Sequence, residues 1–182
     1  MAEAFSNKLT RAAGIVTTSS SGSIGITTTI ITGISTVGVA VSDLVDNANF
    51  IAGTKVTGYG DAASQVVVDQ TSTNTAAVSG SAVVNFLGMT TAYTSAAATK
   101  SILIGGTFAN NTTSSVNLTV EIHDASAGVQ AALASKIPVP TGSSFVISDA
   151  GKTVLETGDE VRVFCDTANA IDVNLSILTG VS

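Results

Sequence analysis

The sequence predicts an all-β protein with two small β domains, the C-terminal one an antiparallel β-sandwich, and an extended N-terminal arm. Two segments of the 182-residue chain, 116–122 and 171–177, alternate apolar and polar residues without interruption. This alternation is typical of strands with one buried face and one solvent-facing face. No segment sustains a helical period over three turns, and short β-branched runs recur about every 8 to 12 residues between turn residues. Together these observations favour an all-β fold.

Residues 1–23 are predicted to form the arm. The segment is polar and mildly basic, and it ends in a Ser/Thr-rich run whose low apolar content cannot support a core of its own. We expect the arm to become ordered against a neighbouring molecule; a frayed terminus is the alternative. Phe5, Leu9 and Arg11 are the predicted interface residues, because they are spaced along an otherwise polar segment.

Residues 24–90 are predicted to form a small β domain, either a sandwich or a barrel. Short β-branched runs alternate there with Gly, Asn and Asp, a pattern typical of strands joined by tight turns. Residues 88–98 resemble a connector, which places the domain boundary near residue 90. The predicted strands are 26–31, 37–41, 55–59, 65–69 and 82–87.

Residues 91–182 are predicted to form the β-sandwich, because both alternating segments lie there. An Asn/Thr/Ser-rich turn separates the first two strands, and a segment containing Pro138 and Pro140 separates the third from the fourth. Proline lacks the amide hydrogen that a central strand must donate, so both prolines are expected outside central strands. The predicted strands are 101–108, 116–123, 130–136, 144–148, 160–166 and 171–178.

Charge is sparse in this chain and its balance is acidic. Charged residues make up 11% of the sequence, against roughly 25% in typical globular domains, and the net charge is −6. A dispersed monomer depends largely on charge, so the composition favours a subunit of an assembly; a monomer with a Thr-covered surface is the alternative. No basic stripe is present to bind phosphates, which disfavours nucleic acid and anionic membranes as partners.

Residues with catalytic chemistry are few and scattered. His123 is the single histidine, and no Gly-x-Ser-x-Gly motif is present to provide a hydrolase nucleophile. Cys165 shares parity with apolar neighbours and is expected to be buried and unreactive. The glycine-containing stretch 58–63 is interpreted as a hairpin turn, and the adjacent Asp159 and Glu160 are expected to point to opposite faces of a strand. We therefore predict no enzymatic activity, no catalytic residue and no cofactor.

The densest cluster of oxygen ligands consists of Asp43, Asp46, Asn47 and Asn49. These residues are weak candidates for calcium binding, because carboxylate and amide oxygens are the ligands that calcium prefers. The spacing of an EF-hand is absent. A polar turn is the favoured interpretation, since Asp and Asn are common in turns.

Several segments resemble virion structural proteins of tailed bacteriophages, in particular contractile-tailed phages of marine cyanobacteria. The resemblance depends on the turn TFANNT at 107–112, the segment KIPVPTGSSF at 136–145 and LETGDEV at 155–161, with further similarity at 4–28 and 37–56. It implies a non-enzymatic accessory or decorating subunit of the capsid or of the neck and tail region. Its partners would be other virion subunits and copies of itself, with no nucleic acid and no membrane.

The alternative to a structural subunit is an adhesion module of a tail or head fibre that binds a host-surface glycan. In either case the resemblance implies that the mature protein is located in the virion. The N-terminal segment lacks the apolar stretch of a secretion signal, so synthesis in the host cytoplasm is expected.

Overall fold

The computed structural model describes residues 3–148 and 152–181, and within these ranges the protein contains fifteen strands and no helix. The predicted all-β fold class is confirmed. The chain divides into two compact units, one combining Met1–Gly14 with Thr90–Ser182 and the other spanning Ile15–Met89. The strands are β1 (Ala4–Ala13), β2 (Ile15–Ile24), β3 (Ile30–Thr32), β4 (Leu44–Asp46), β5 (Val56–Tyr59), β6 (Gln65–Val68), β7 (Val78–Gly88), β8 (Thr90–Thr94), β9 (Lys100–Asn110), β10 (Val116–Asp124), β11 (Val129–Val139), β12 (Ser144–Ile147), β13 (Thr153–Leu155), β14 (Glu160–Cys165) and β15 (Ile171–Val181).

The unit formed by both chain ends is a β-sandwich of two antiparallel sheets. The five-stranded sheet has the order β1-β15-β9-β12, with β13 also paired to β9, and the four-stranded sheet has the order β11-β10-β14-β8. Inward side chains of both sheets form one hydrophobic core, which contains Phe108, Leu118, Val163 and Leu175. Burial of this apolar surface holds the two sheets face to face.

The two alternating segments have different outcomes in the sandwich. In 171–177 the four apolar residues are buried and the polar residues between them are exposed or half-buried, as predicted. In 116–122 the predicted solvent-facing side is correct at Asn117, which is exposed, but wrong at Thr119 and Glu121, which are buried. β10 is an interior strand, and the Thr119 hydroxyl accepts a hydrogen bond from the Lys136 amide at 3.0 Å beside an irregularity in β11. A backbone amide therefore takes the place that water would have beside that side chain.

The unit spanning Ile15–Met89 is a single antiparallel sheet closed into a small barrel. Its strand order is β4-β7-β2-β3-β6-β5, and a bridge between Leu44 and Lys55 joins the two ends of this order. Next to the bridge, the Val45 amide donates to the Thr54 carbonyl at 2.8 Å. The inward side chains form a separate core that includes Ile24, Ile31, Phe50, Val66, Val84 and Phe86.

The N-terminal segment differs from the predicted arm. β1 is the edge strand of the five-stranded sheet and pairs with β15, whereas β2 pairs with β3 and β7 in the barrel. Residues 1 and 2 of the predicted arm lie outside the described residues. Low apolar content did not prevent folding, because distant strands supply the backbone hydrogen bonds and hydroxyl side chains fit a pleated surface.

Other differences from the predicted strands concern short or irregular segments. Residues 37–41 form turns and irregular backbone instead of a strand, and the predicted connector 88–98 contains β8, which pairs with β14. The short strands β4 and β13 were not predicted, because three residues cannot display a period. Pro138 lies in β11, an edge strand of its sheet, where the missing amide hydrogen is tolerated.

Candidate functional site

The predicted interface residues Phe5, Leu9 and Arg11 all lie on the edge strand β1. The side chains of Phe5 and Leu9 are 68% and 73% exposed, and Arg11 is exposed as well. Phe5 pairs with Leu178 and Leu9 with Asn174 of β15, neither of which belongs to the core. Because paired residues project to the same side of a sheet, these side chains lie on the side opposite the core, which we call the outer face.

An apolar row crosses the outer face from one edge of the sheet to the other. Phe5 pairs with Leu178, Leu178 with Ile102, and Ile102 with Val154, so four strands contribute one apolar side chain each. Leu178 and Ile102 are half-buried, whereas Val154 is 54% exposed. Directly paired side chains lie about 5 Å apart, so the row is a continuous strip.

In the line of paired residues next to the apolar row, the side chains of the outer face are smaller and more polar. This line contains Asn7, Ser176 and Gly105, with the Ser176 hydroxyl 3.4 Å from Asn7 Oδ1. The line after it reaches from Leu9 to Val146, which is also 54% exposed. A shallow hollow of about 320 Å³ opens beside this line and is lined by Leu9, Arg11, Thr107, Ala109, Asp172 and Asn174.

Charges near the outer face lie at its margin and are of both signs. Lys100 and Glu156 form an ion pair at 3.2 Å at one end. Asp172 lies at the other end, beside the hollow that Arg11 also lines, and accepts a hydrogen bond from the Ala12 amide at 2.9 Å. In the described part of the chain, six charged residues on or next to these strands share parity with the outer-face residues: Arg11, Lys100 and Lys152 with Glu3, Glu156 and Asp172. Lys8 of β1 pairs with the core residue Leu175 and therefore projects to the other side of the sheet.

Asp43, one of the weak metal candidates, is buried in the barrel. Its Oδ2 accepts a hydrogen bond from the Ala40 amide at 2.8 Å, which closes a local turn. Burial raises the pKa of Asp43 above its ordinary value, and the hydrogen bond from Ala40 opposes part of that rise. The carboxylate therefore stabilises this turn.

The other three candidates are also engaged in local structure. Asp46 lies in β4, Asn47 donates from Nδ2 to the Val83 carbonyl at 2.7 Å, and Asn47 Oδ1 accepts from the Asn49 amide at 2.8 Å. Within residues 3–148 and 152–181, no group of three or more His, Cys, Asp or Glu is placed to hold a metal ion. These hydrogen bonds favour the polar-turn interpretation.

The other residues that the sequence analysis considered for chemistry are buried, partly shielded from solvent or part of a turn. Burial raises the pKa of Cys165 to about 11, so its thiol stays protonated at neutral pH. His123 is half-buried in β10, with its Nδ1 shielded from solvent. The 58–63 stretch joins β5 to β6 as a hairpin, in which the Gly60 amide donates to the Gln65 carbonyl at 3.2 Å.

Asp159 and Glu160 have separate partners, as their predicted opposite orientation requires. The Asp159 carboxylate is buried and accepts hydrogen bonds from the Glu156 amide at 2.9 Å and the Ala125 amide at 3.0 Å. Glu160 forms an ion pair at 2.7 Å with Arg162, two residues further along the same strand, β14. Asp159 therefore ties two turns of the sandwich together and is not paired with Glu160 for acid and base chemistry.

Sequence reasoning missed a buried hydroxyl cluster inside the sandwich. The Tyr93 hydroxyl lies 2.8 Å from Ser101 Oγ, which lies 3.1 Å from Ser95 Oγ, and Ser95 also donates to the Leu155 carbonyl at 3.4 Å. The parity of Ser101 with Leu103 on β9 was the available signal for burial. Each hydroxyl has a partner, so the cluster links β8, β9 and β13 without an accessible nucleophile.

No protein-family model, curated protein or solved structure matches this chain. The fold itself defines the class, an all-β protein that combines an antiparallel sandwich with a closed barrel. In the described ranges there is no helix of the length and apolarity needed to cross a membrane.

Proposed function

We propose that this protein is a non-enzymatic structural subunit of a tailed-bacteriophage virion. In this role it is an accessory or decorating component of the capsid or of the head-tail region. Its partners are other virion subunits and copies of itself. The observation that carries the proposal is the apolar row on the outer face, where Phe5 and Val154 expose large apolar side chains at opposite edges of the same sheet.

Exposed apolar surface of this kind supports an interaction role. Single exposed apolar residues are common, but a contiguous strip with a polar surround is typical of a contact site. The strip includes an edge strand, and proteins commonly protect long edge strands by charge, proline or pairing. β1 carries Lys8 and Arg11, which disfavour addition of a further strand at this edge, so the support for a contact comes from the apolar side chains of the outer face.

The surroundings of the polar residues support a role without chemistry. Asp43 and Asp159 accept backbone hydrogen bonds that close turns, and the serine and tyrosine hydroxyls of the buried cluster bond to one another. Such turns stiffen a scaffold. A subunit present in many copies can then reinforce a particle through contacts that are individually weak, because their effects combine.

The proposal is tested on particles of the phage that encodes the chain. We expect quantitative mass spectrometry of purified particles to detect it in a fixed ratio to the major capsid protein. Its absence from particles, although present in the infected-cell lysate, would contradict the proposal.

A point variant tests the surface within the same experiment. Phe5→Asp places a carboxylate in the apolar row, and we expect it to lower particle occupancy. Val129→Asp is the matched control, because Val129 is 58% exposed on β11, away from the five-stranded sheet. Equal occupancy of both variants would contradict a contact role for the outer face.

A further inference from the structure

We infer that the outer face of the five-stranded sheet is the contact surface between two copies of this chain, which pack sheet against sheet about a two-fold axis. This deepens the proposed particle role, which already counts copies of the chain among the partners, because it assigns the outer face to one such copy and gives the contact a geometry. The argument depends on the area of the face, the distribution of its charges and the placement of its apolar side chains.

The outer face is large enough for a stable dimer. Three of its strands, β1, β15 and β9, are ten or eleven residues long, and the short strands β12 and β13 add seven residues beside β9. At ~4.8 Å per strand and ~3.4 Å per residue this amounts to roughly 650 Å² per copy. Two copies would bury roughly 1,300 Å², which lies within the range of about 1,200–2,000 Å² that specific stable interfaces bury.

The charges around this face favour a second copy as the occupant. The whole chain carries a net charge of −6, so most of its surface would repel another copy. The described residues that flank the outer face balance, because three positive side chains stand against three negative ones. An apolar centre with a charged margin of both signs also matches the usual anatomy of an interface.

A two-fold axis that crosses the strands near Asn7 and Ser176 makes the face complementary to itself. This axis places Phe5 of each copy opposite the Leu9 end of β1 in the other copy. The hollow of about 320 Å³ lies beside Leu9 at that end. The axis also brings the Lys100–Glu156 end of one copy over the Asp172 end of the other. Such an isologous contact repeats each interaction twice.

The first test is sedimentation equilibrium of the full chain over a wide concentration range. We expect a reversible dimer for the unmodified protein. Val154→Asp should raise the dimer dissociation constant at least about tenfold, because a carboxylate then enters the buried strip. Val129→Asp should leave the dissociation constant unchanged, since Val129 has similar exposure but lies on β11.

The second test locates the axis by cross-linking. Sheets packed face to face are about 10 Å apart, too far for a direct disulfide, so a short bismaleimide is the reagent. Ser176→Cys should give a covalent dimer, and Ser126→Cys, on the β10–β11 turn, should not. The native Cys165 is buried and should contribute no background.

Three results would overturn the inference. They are a monomer at every concentration, equal weakening of the dimer by Val154→Asp and Val129→Asp, and failure of Ser176→Cys to cross-link. Circular dichroism establishes that each variant is folded. A monomer that is nevertheless present in particles would overturn this inference alone, whereas a dimer absent from particles would contradict only the proposed function.

Discussion

The sandwich and the barrel close their cores in different ways. The barrel joins the ends of its strand order through the Leu44–Lys55 bridge, so its sheet has no open edge there. The sandwich covers one side of each of two open sheets, which leaves the edge strand β1 and the apolar row of the outer face in contact with solvent. Closure of a barrel pairs the backbone N–H and C=O groups of the strand edges within the sheet. An open sandwich, by contrast, retains strand edges and sheet faces that can bind a partner.

The largest expected effects come from removing one aromatic side chain from each core. Phe108→Ala in the sandwich and Phe86→Ala in the barrel should each lower the free energy of unfolding by about 3–5 kcal/mol, because both side chains are fully buried. The two cores share no residue, so hydrogen exchange should increase mainly in the unit that carries the substitution. Equal loss of protection in both units would contradict two separate cores.

A pair of glycines tests how tightly each unit constrains its turns. Gly14 has φ +121°, and an added Cβ would lie 2.5 Å from the Thr167 carbonyl oxygen, whereas Gly53 has φ +91° with open space around it. Gly14→Ala should therefore cost about 2–4 kcal/mol, combining strain with a clash. Gly53→Ala should cost only about 1 kcal/mol from its left-handed backbone. Equal costs in chemical denaturation would be evidence against the close approach at Gly14.

Asp43 predicts a pH dependence of the barrel. Burial raises the folded-state pKa of this carboxyl above 3.8, so the folded barrel binds the proton more tightly than the unfolded chain. The contribution of Asp43 to the stability of the folded barrel is therefore present below pH 3.8 and is lost as the pH rises through the raised pKa. Asp43→Asn should remove this decrease while keeping an acceptor for the Ala40 amide. A barrel whose stability changes with pH identically in both proteins would contradict the assignment.

Asp124 predicts the opposite sign in the sandwich. Hydrogen bonds from the Ala127 amide and the Ser126 hydroxyl lower the pKa of Asp124 in the folded state. The stabilisation is therefore present above pH 3.8 and is lost as the pH falls through the lowered pKa. Asp124→Ala should slightly lower the melting temperature at neutral pH, and the difference should disappear in acid. A difference that persists in acid would point to another cause.

The sequence pattern predicted correctly those strands whose side chains alternate regularly between the core and solvent. The 171–177 segment alternates because β15 has one side in the core along its length, and its side-chain directions follow from the period alone. The same rule failed at Thr119 and Glu121, which are buried, because β10 is an interior strand and the Lys136 amide of β11 donates a hydrogen bond to Thr119. Residues 4–13 gave no local signal of a strand, because β15 provides their pairing from the other end of the chain.

By itself, the sequence determined the all-β class and the strand period of β15, and it singled out Phe5, Leu9 and Arg11 by their spacing. Only the tertiary structure decided that Phe5 would pair with Leu178, Leu178 with Ile102 and Ile102 with Val154 to form the apolar row. The physical reason is that side-chain direction along a strand is a local property. The register between distant strands depends on core packing and backbone hydrogen bonding across the whole sheet.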